Sequence, residues 1–392
     1  MNYERYLNPE VAAVPPSGIR RFFDLASTMK DTISLGVGEP DFITPYHIRN
    51  AAINSIVDGE TQYTPNRGLL PLRREIAAYL ESRYQTAYNP DTDIIVTVGA
   101  SESIDIALRA IVAPGDEVLV PEPSYVSYSP SVIFAGGKPV GVETRADTAF
   151  RLTPEAIEQA ITPRTKALIL PYPNNPTGAI MEKADLEAIA RVIREKQILV
   201  ISDEIYSELT YGDLHHTSFA SLPGMHDLTL TINGFSKAFA MTGWRVGYIC
   251  GPAPLIEVMN KIHQYSILCA PRQGQAAALE ALRSGRETGY EDVLRMRESY
   301  DRRRRLMVDG FRSMGLDCFE PLGAFYVFPS IKSTGLDSET FCERLLREKR
   351  IACVPGTAFG SCGEGHIRCS YATALDKLTT ALERMQDFIA SL

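Results

Sequence analysis

The chain reads as an α/β protein: a large domain whose mostly parallel sheet is covered by helices, joined to a smaller α+β domain. Two observations predict the large domain. Five short apolar runs, rich in β-branched residues and apolar on both sides, recur between residues 94 and 232, which is the texture of strands buried on both faces of a parallel sheet. Between them lie amphipathic stretches such as Ser101 to Val112 and Lys183 to Arg194, with apolar residues at helical spacing. The third observation is a change of texture near residue 290, where charged helices and scattered short runs replace the alternation. A length of 392 residues also exceeds what one core organises.

In chain order, residues 1–46 contain Leu35-Gly36-Val37-Gly38-Glu39-Pro40-Asp41 and are expected to pack back against the smaller domain. The large domain is expected over 47–289, with strands in Ile94-Ile95-Val96-Thr97-Val98, Glu117-Val118-Leu119-Val120, Ala167-Leu168-Ile169-Leu170, Ile198-Leu199-Val200-Ile201 and Thr229-Leu230-Thr231-Ile232. Val246-Gly247-Tyr248-Ile249-Cys250 follows too soon for a crossover helix, so an antiparallel strand is expected there. The smaller domain, 290–392, opens with a long charged helix from Glu291 to Ser313. A strand is expected in Gly323-Ala324-Phe325-Tyr326-Val327-Phe328, a helix around Ser338 to Arg350, short runs after Ile351 and Gly365, and a last helix from Ala374. The sequence contains no internal repeat and no low-complexity tract.

Polar residues follow each apolar run of the large domain: Gly99-Ala100-Ser101, Glu122-Pro123-Ser124-Tyr125, Asn174-Asn175-Pro176, Asp203 with Tyr206, and Gly234-Phe235-Ser236-Lys237. All stand just past strand carboxyl ends, where ligands bind in open α/β sheets. Five segments should therefore converge on one crevice.

Hydrophobic content of 45% and charged content of 22% are ordinary for a globular protein. A formal net charge of −8 opposes nucleic acid as the main partner. The run Arg302-Arg303-Arg304-Arg305 reads as a solvated helix face, because Leu306, Met307 and Phe311 continue it at helical spacing. Seven cysteines without a Cys-x-x-Cys pair fit reduced thiols in a cytoplasmic enzyme, and six histidines without His-Glu-x-x-His oppose a metal site. No signal core and no bilayer-length apolar run occur, so a cytosolic location is expected.

Taken together, the crevice residues match the needs of one cofactor, pyridoxal 5′-phosphate. Lys237 supplies an amine that condenses with an aldehyde. Asp203 supplies a carboxylate for a pyridinium nitrogen, Tyr206 and Asn175 supply donors for a phenolate oxygen, and Arg245 supplies a cation for a phosphate.

Over essentially its whole length, from Gly18-Ile19-Arg20 to Arg368, the sequence resembles the fold-type I, class I aminotransferases. Ser236-Lys237-Ala238-Phe239-Ala240-Met241-Thr242-Gly243-Trp244-Arg245-Val246-Gly247 carries the resemblance. Pro173-Asn174-Asn175-Pro176-Thr177-Gly178 and Ser202-Asp203-Glu204-Ile205-Tyr206 precede it at the family's distances. Within the class it is most similar to the branch of aromatic, aspartate and N-acetyl-diaminopimelate aminotransferases.

The resemblance implies a role for each residue, and a plainer reading stands beside each one. Lys237 would bind the cofactor covalently and carry the substrate proton, where a lone lysine is ordinarily a surface residue. Asp203 would keep the ring nitrogen protonated, against the reading of a helix N-cap. Tyr206 and Asn175 would bond the cofactor's phenolic oxygen, or else serve a turn or the core; the Asn175–Pro176 bond is left open between cis and trans. Ala100, Ser101, Ser236 and Arg245 would form the phosphate cup at a helix N-terminus. Some relatives carry a hydroxyl residue where Gly234 stands. Tyr125 would stack on the ring, with a core tyrosine as the competing reading.

Arg368 would bind the substrate α-carboxylate through its planar fork, against a rim salt bridge, and Gly38 would offer backbone beside it. Gly36-Val37-Gly38 lacks the third glycine and the helix of a dinucleotide fingerprint. Tyr63 would reach the phosphate of a neighbouring subunit, making the active unit a homodimer, or else pack in its own loop.

The implied reaction is ping-pong transfer of an amino group from an L-amino acid, aromatic or aspartate, to a 2-oxo acid such as 2-oxoglutarate. Some aspartate-specific relatives have a lysine where Ser101 stands; its absence leaves no obvious distal cation, and Arg20 or Arg67 would be the substitutes. The same fold hosts Cys–S β-lyases and racemases, and N-acetyl-diaminopimelate is a further substrate within the branch. Ligand sensors fused to DNA-binding heads are opposed by the early start of the α/β pattern and by the net charge.

Overall fold

The computed structural model describes Met1, residues 3–19 and residues 29–392. The first strand, β1 (Ile33–Ser34), pairs with the carboxyl-terminal part of the chain. Seven strands then build the main sheet: β2 (Ile94–Thr97), β3 (Glu117–Glu122), β4 (Lys138–Glu143), β5 (Thr165–Leu170), β6 (Leu199–Asp203), β7 (Thr229–Gly234) and β8 (Gly247–Cys250). Their order is β2-β8-β7-β6-β5-β3-β4. Neighbours from β4 across to β7 run parallel, and β8 is antiparallel to both β7 and β2.

Each expected strand forms. β4 escapes a hydrophobic search because it is the sheet edge: Lys138 and Glu143 face water, and Pro139 sits where a missing N–H costs little. β2, β7 and β8 are buried throughout, so helices must cover both faces. On one face Gly99–Ile111 and Ala253–Ser266 bring Ile104, Leu108, Ile256 and Met259 onto the strands. Elsewhere Lys183–Lys196 contributes Leu186, Ile189 and Ile193 to a second cluster, and Leu70–Tyr84 and Arg272–Thr288 pack in a third.

Beyond the sheet come Glu291–Ser313, β9 (Tyr326–Val327), Ser338–Lys349, β10 (Ile351–Ala352), β11 (Val354–Pro355), β12 (Ile367–Ser370) and Leu375–Ile389. β11, β12 and β9 form an antiparallel sheet in that order, while β1 runs parallel to β10. Leu35 shares the core of this region with Met307, Phe311, Leu345 and Phe388, so the segment carrying Gly36 to Asp41 does pack against it. β9 is shorter than the apolar run suggests. Ala324 has a φ of 56°, and Gly323 and Ala324 donate to Gly178 and Leu209 instead of a strand neighbour.

The arginine run corrects the expectation of a wholly solvated face. At about 100° per residue, four consecutive positions cannot share one side of a helix. Arg302 and Arg305 are exposed, but Arg304 is buried, bonding Asp301 and Glu320 beneath the Tyr211 ring. Arg303 pairs with Asp41 at 2.8 Å and lies over Phe42 and Tyr300. All seven cysteines are free thiols. Among the described residues no helix is long and apolar enough to cross a membrane.

Candidate active site

A cavity of about 670 Å³ opens at the carboxyl ends of β2, β3, β5, β6 and β7, and β9 and β12 close it from the other side. Of the residues assigned to the cofactor or to the substrate α-carboxylate, all but Tyr63 line it: Gly38, Ala100, Ser101, Tyr125, Asn175, Asp203, Tyr206, Ser236, Lys237, Arg245 and Arg368.

Lys237 stands in the turn after β7 and donates from Nζ to the Gly38 carbonyl at 2.6 Å. Burial pulls its pKa down from 10.5 to about 8; Glu39 opposes the fall, and Arg368 and Arg245 add to it. A fraction of the amine is therefore neutral near physiological pH.

Asp203 ends β6 and is buried. Tyr128 donates to its Oδ2 at 2.7 Å and the Ile205 N–H to its Oδ1 at 3.2 Å. Burial raises its pKa, and these two donors and Lys237 work against that rise. The adjacent Glu204 is equally buried but accepts from Ser202, Ser218 and the Phe219 N–H, outside the cavity. Asp203 thus faces the cavity with no cation bonded to it.

Arg368, on β12, is 1% exposed. Its Nη1 donates to Asn175 Oδ1 at 2.9 Å, its Nη2 donates to the Gly36 carbonyl at 2.5 Å, and Nε has no partner. The guanidinium lies 4.6 Å from the Tyr326 ring centroid and 4.8 Å from that of Phe359. A buried cation held by neutral acceptors and rings is costly unless an anion joins it. With Oδ1 committed to Arg368, the Asn175 amide nitrogen remains free to donate.

The remaining cation, Arg245, has a φ of 54° and donates to the Thr242 carbonyl at 3.0 Å. It lies against Gly99, the first residue of Gly99–Ile111, whose φ is +76°; a Cβ there would come 2.5 Å from Arg245 Nη2. The free N–H groups of that helix start, the Ser101 and Ser236 hydroxyls and Arg245 together suit a phosphate. Gly234 could not carry the hydroxyl found in some relatives, since its Cβ would lie 2.9 Å from Gly247 Cα.

The structure decides one open point and keeps one candidate cation out of the cavity. The cis bonds are Glu122–Pro123 and Tyr172–Pro173, so Asn175–Pro176 is trans. Arg67 does not reach the cavity; its guanidinium donates to the Thr92 and Asp91 carbonyls. Arg20 lies outside the described residues. Tyr63 is 80% exposed on a loop that His263 ties to the cavity helix, bonding Glu102 and the Asn66 carbonyl.

Sequence reading missed Tyr128 and Tyr326. Tyr128 follows Tyr125 by three positions, across the turn that opens the helix Tyr128–Phe134, a spacing that could have suggested a shared wall. Tyr326 sits in an apolar run with nothing to mark it as a site residue. Its hydroxyl bonds that of Tyr206 at 2.8 Å, and it would clash with any Cβ on Gly38.

The chain matches known proteins over nearly its whole length. Residues 30–385 match the family model described as "Aminotransferase class I and II". The chain is similar to the aspartate aminotransferase of Pyrococcus abyssi, 48% identical over 95% of each chain. It is also similar to aromatic-amino-acid aminotransferase 2 of Thermococcus litoralis, 45% identical over 97% of each. Its fold superposes on the Thermus thermophilus aspartate aminotransferase solved with maleate at a TM-score of 0.93, with 41% identity, covering 97% of this chain and 99% of the other. The chain belongs to the class I and II aminotransferase family, and it is a transaminase.

Proposed function

We propose that the cavity holds pyridoxal 5′-phosphate and that the enzyme moves an amino group from an aromatic L-amino acid or aspartate to a 2-oxo acid such as 2-oxoglutarate, in two half-reactions. When bound, that cofactor supplies an aldehyde that captures amines and a ring that withdraws electrons from the substrate Cα. One observation carries the reading. Lys237, Arg245 and Arg368 line one cavity with Asp203, and the hydrogen-bond partners of Asp203 and Arg368 are all neutral groups.

The residues divide the work by their chemistry. Arg368 binds the substrate carboxylate and fixes the direction of its Cα–H bond. Lys237 Nζ, partly neutral, takes that proton and returns it. Asp203, as a carboxylate, would hold a proton on the ring nitrogen. Tyr206 and the Asn175 amide donate to the phenolic oxygen, Tyr125 covers a ring face, and Ala100, Ser101, Ser236 and Arg245 hold the phosphate. Ile19, Val37 and Val126 give the wall an apolar stretch that suits an aromatic side chain.

A homodimer fits the exposed surface. Ser101 and Arg245 are open to solvent, and Ile43, Tyr46, Val57, Tyr63 and Tyr265 are each more than two-thirds exposed. Tyr63 of one copy is assigned to the phosphate of the other. The segments 1–46, 47–289 and 290–392 form the two-domain division proposed here, supported by one apolar cluster made only of residues between 95 and 262 and another made mostly of residues beyond 290, while Phe328, Val354 and Phe359 pack across the boundary onto the large sheet. Free thiols are in keeping with a cytosolic enzyme.

Incubation with single amino acids and 2-oxoglutarate tests the reading: glutamate should form with phenylalanine, tyrosine or aspartate. Ammonia and pyruvate released from a cysteine thioether without any oxo acid, and no glutamate, would replace it with β-elimination.

A further inference from the structure

Between the proposed substrate carboxylate site and the proposed phenolic-oxygen site lies one side chain to which neither role has been given. Tyr326 is 1% exposed on β9, held there by pairing with Ser370 on β12. Its ring face lies 4.6 Å from Arg368, and its hydroxyl lies 2.8 Å from that of Tyr206. Its hydroxyl also sits where a side chain on residue 38 would be, so it abuts the backbone that accepts from Lys237.

We propose that Tyr326 is a positioning residue that couples the carboxylate-binding guanidinium of Arg368 to the Tyr206 hydroxyl, strengthening Tyr206 as a donor into the cavity. This rests on the cofactor reading above. A cation over a phenol ring draws electron density from its O–H and makes it the better donor of the two. Tyr326 therefore donates to Tyr206, and Tyr206 turns its own proton outward. Chained hydrogen bonds strengthen one another in a buried site. Burial pushes both phenols up, Tyr206 well above its ordinary value, while Arg368 and the bond to Tyr206 restrain Tyr326. Besides Arg368, the titratable groups facing the pair are Tyr125 and Lys237, whose Nζ lies 5.7 Å from the Tyr206 ring centroid.

The test is a spectrophotometric pH titration of the holoenzyme chromophore, with binding of 3-phenylpropionate measured beside it. Tyr326→Phe keeps the ring and removes the donor. Its chromophore midpoint should rise by about half a pH unit, with 3-phenylpropionate affinity within about twofold of wild type. Tyr326→Leu should show the same rise and bind 3-phenylpropionate about fivefold more weakly, because the ring under Arg368 is gone. Since Tyr326 acts through Tyr206, adding Tyr326→Phe to Tyr206→Phe should leave the midpoint of Tyr206→Phe unmoved. An unchanged midpoint in Tyr326→Phe, or shifts that simply add in the double variant, would overturn the coupling. A wild-type protein that forms no chromophore would overturn the cofactor reading and the coupling with it.

Discussion

The Tyr128 hydroxyl donates to Asp203 Oδ2 at 2.7 Å, and both side chains are buried. Burial drives the Asp203 pKa up while Tyr128 holds it down, so this one bond helps decide whether a carboxylate or a carboxylic acid faces the cavity. Tyr128→Phe should therefore lower kcat/KM by roughly tenfold, the worth of one hydrogen bond to a charged group. It should also move the acid limb of the pH–rate profile to higher pH, because the ionised form is the competent one. A profile with an unmoved acid limb would mean that Tyr128 only packs.

Arg368 should govern affinity for the substrate carboxylate. Arg368→Lys keeps the charge but loses the planar fork, and it also loses the contact over Tyr326 and Phe359. KM for both amino and oxo acid should rise roughly 10- to 100-fold, while the bound chromophore remains. Steady-state kinetics and absorbance together check this. Loss of the chromophore with KM unchanged would contradict it.

Gly99 tests the phosphate cup. Any side chain there meets Arg245, and the φ of +76° adds backbone strain. Gly99→Ala should weaken retention of pyridoxal 5′-phosphate by at least about tenfold and affect pyridoxal, which lacks the phosphate, much less. Equilibrium dialysis with both compounds measures the difference.

How much of this was legible in the chain depends on whether a residue's neighbours in sequence are its neighbours in space. Lys237, Asp203 and Asn175 follow apolar runs, so the pattern put them at the carboxyl ends of one sheet's strands, and all three line the cavity. β4 was hidden because an edge strand needs no apolar run. Tyr326 was invisible, and Tyr128 was marked only by its spacing from Tyr125, for a different reason. Their partners, Tyr206 and Asp203, are 120 and 75 positions away, and nothing local marks the contact. Arg303 and Arg304 were misread because a charge run on a helix turns inward as well as outward, and Asp41 and Glu320 wait on the inner side.

The Lys237 amine should leave a pH signature in the cofactor-free protein. Its folded pKa of about 8 lies below its ordinary value of 10.5, so the unfolded chain binds more protons between them. Stability should accordingly rise with pH through that window, the penalty being full below it. Lys237→Met should thus raise Tm most below pH 8, with the gain closing towards pH 10.5. A gain independent of pH would show that the amine is not depressed.

The most direct test of the whole account is borohydride reduction of the purified enzyme followed by peptide mass spectrometry. One pyridoxyl group is expected, on the peptide carrying Lys237. No adduct, or an adduct on another lysine with activity intact, would contradict it.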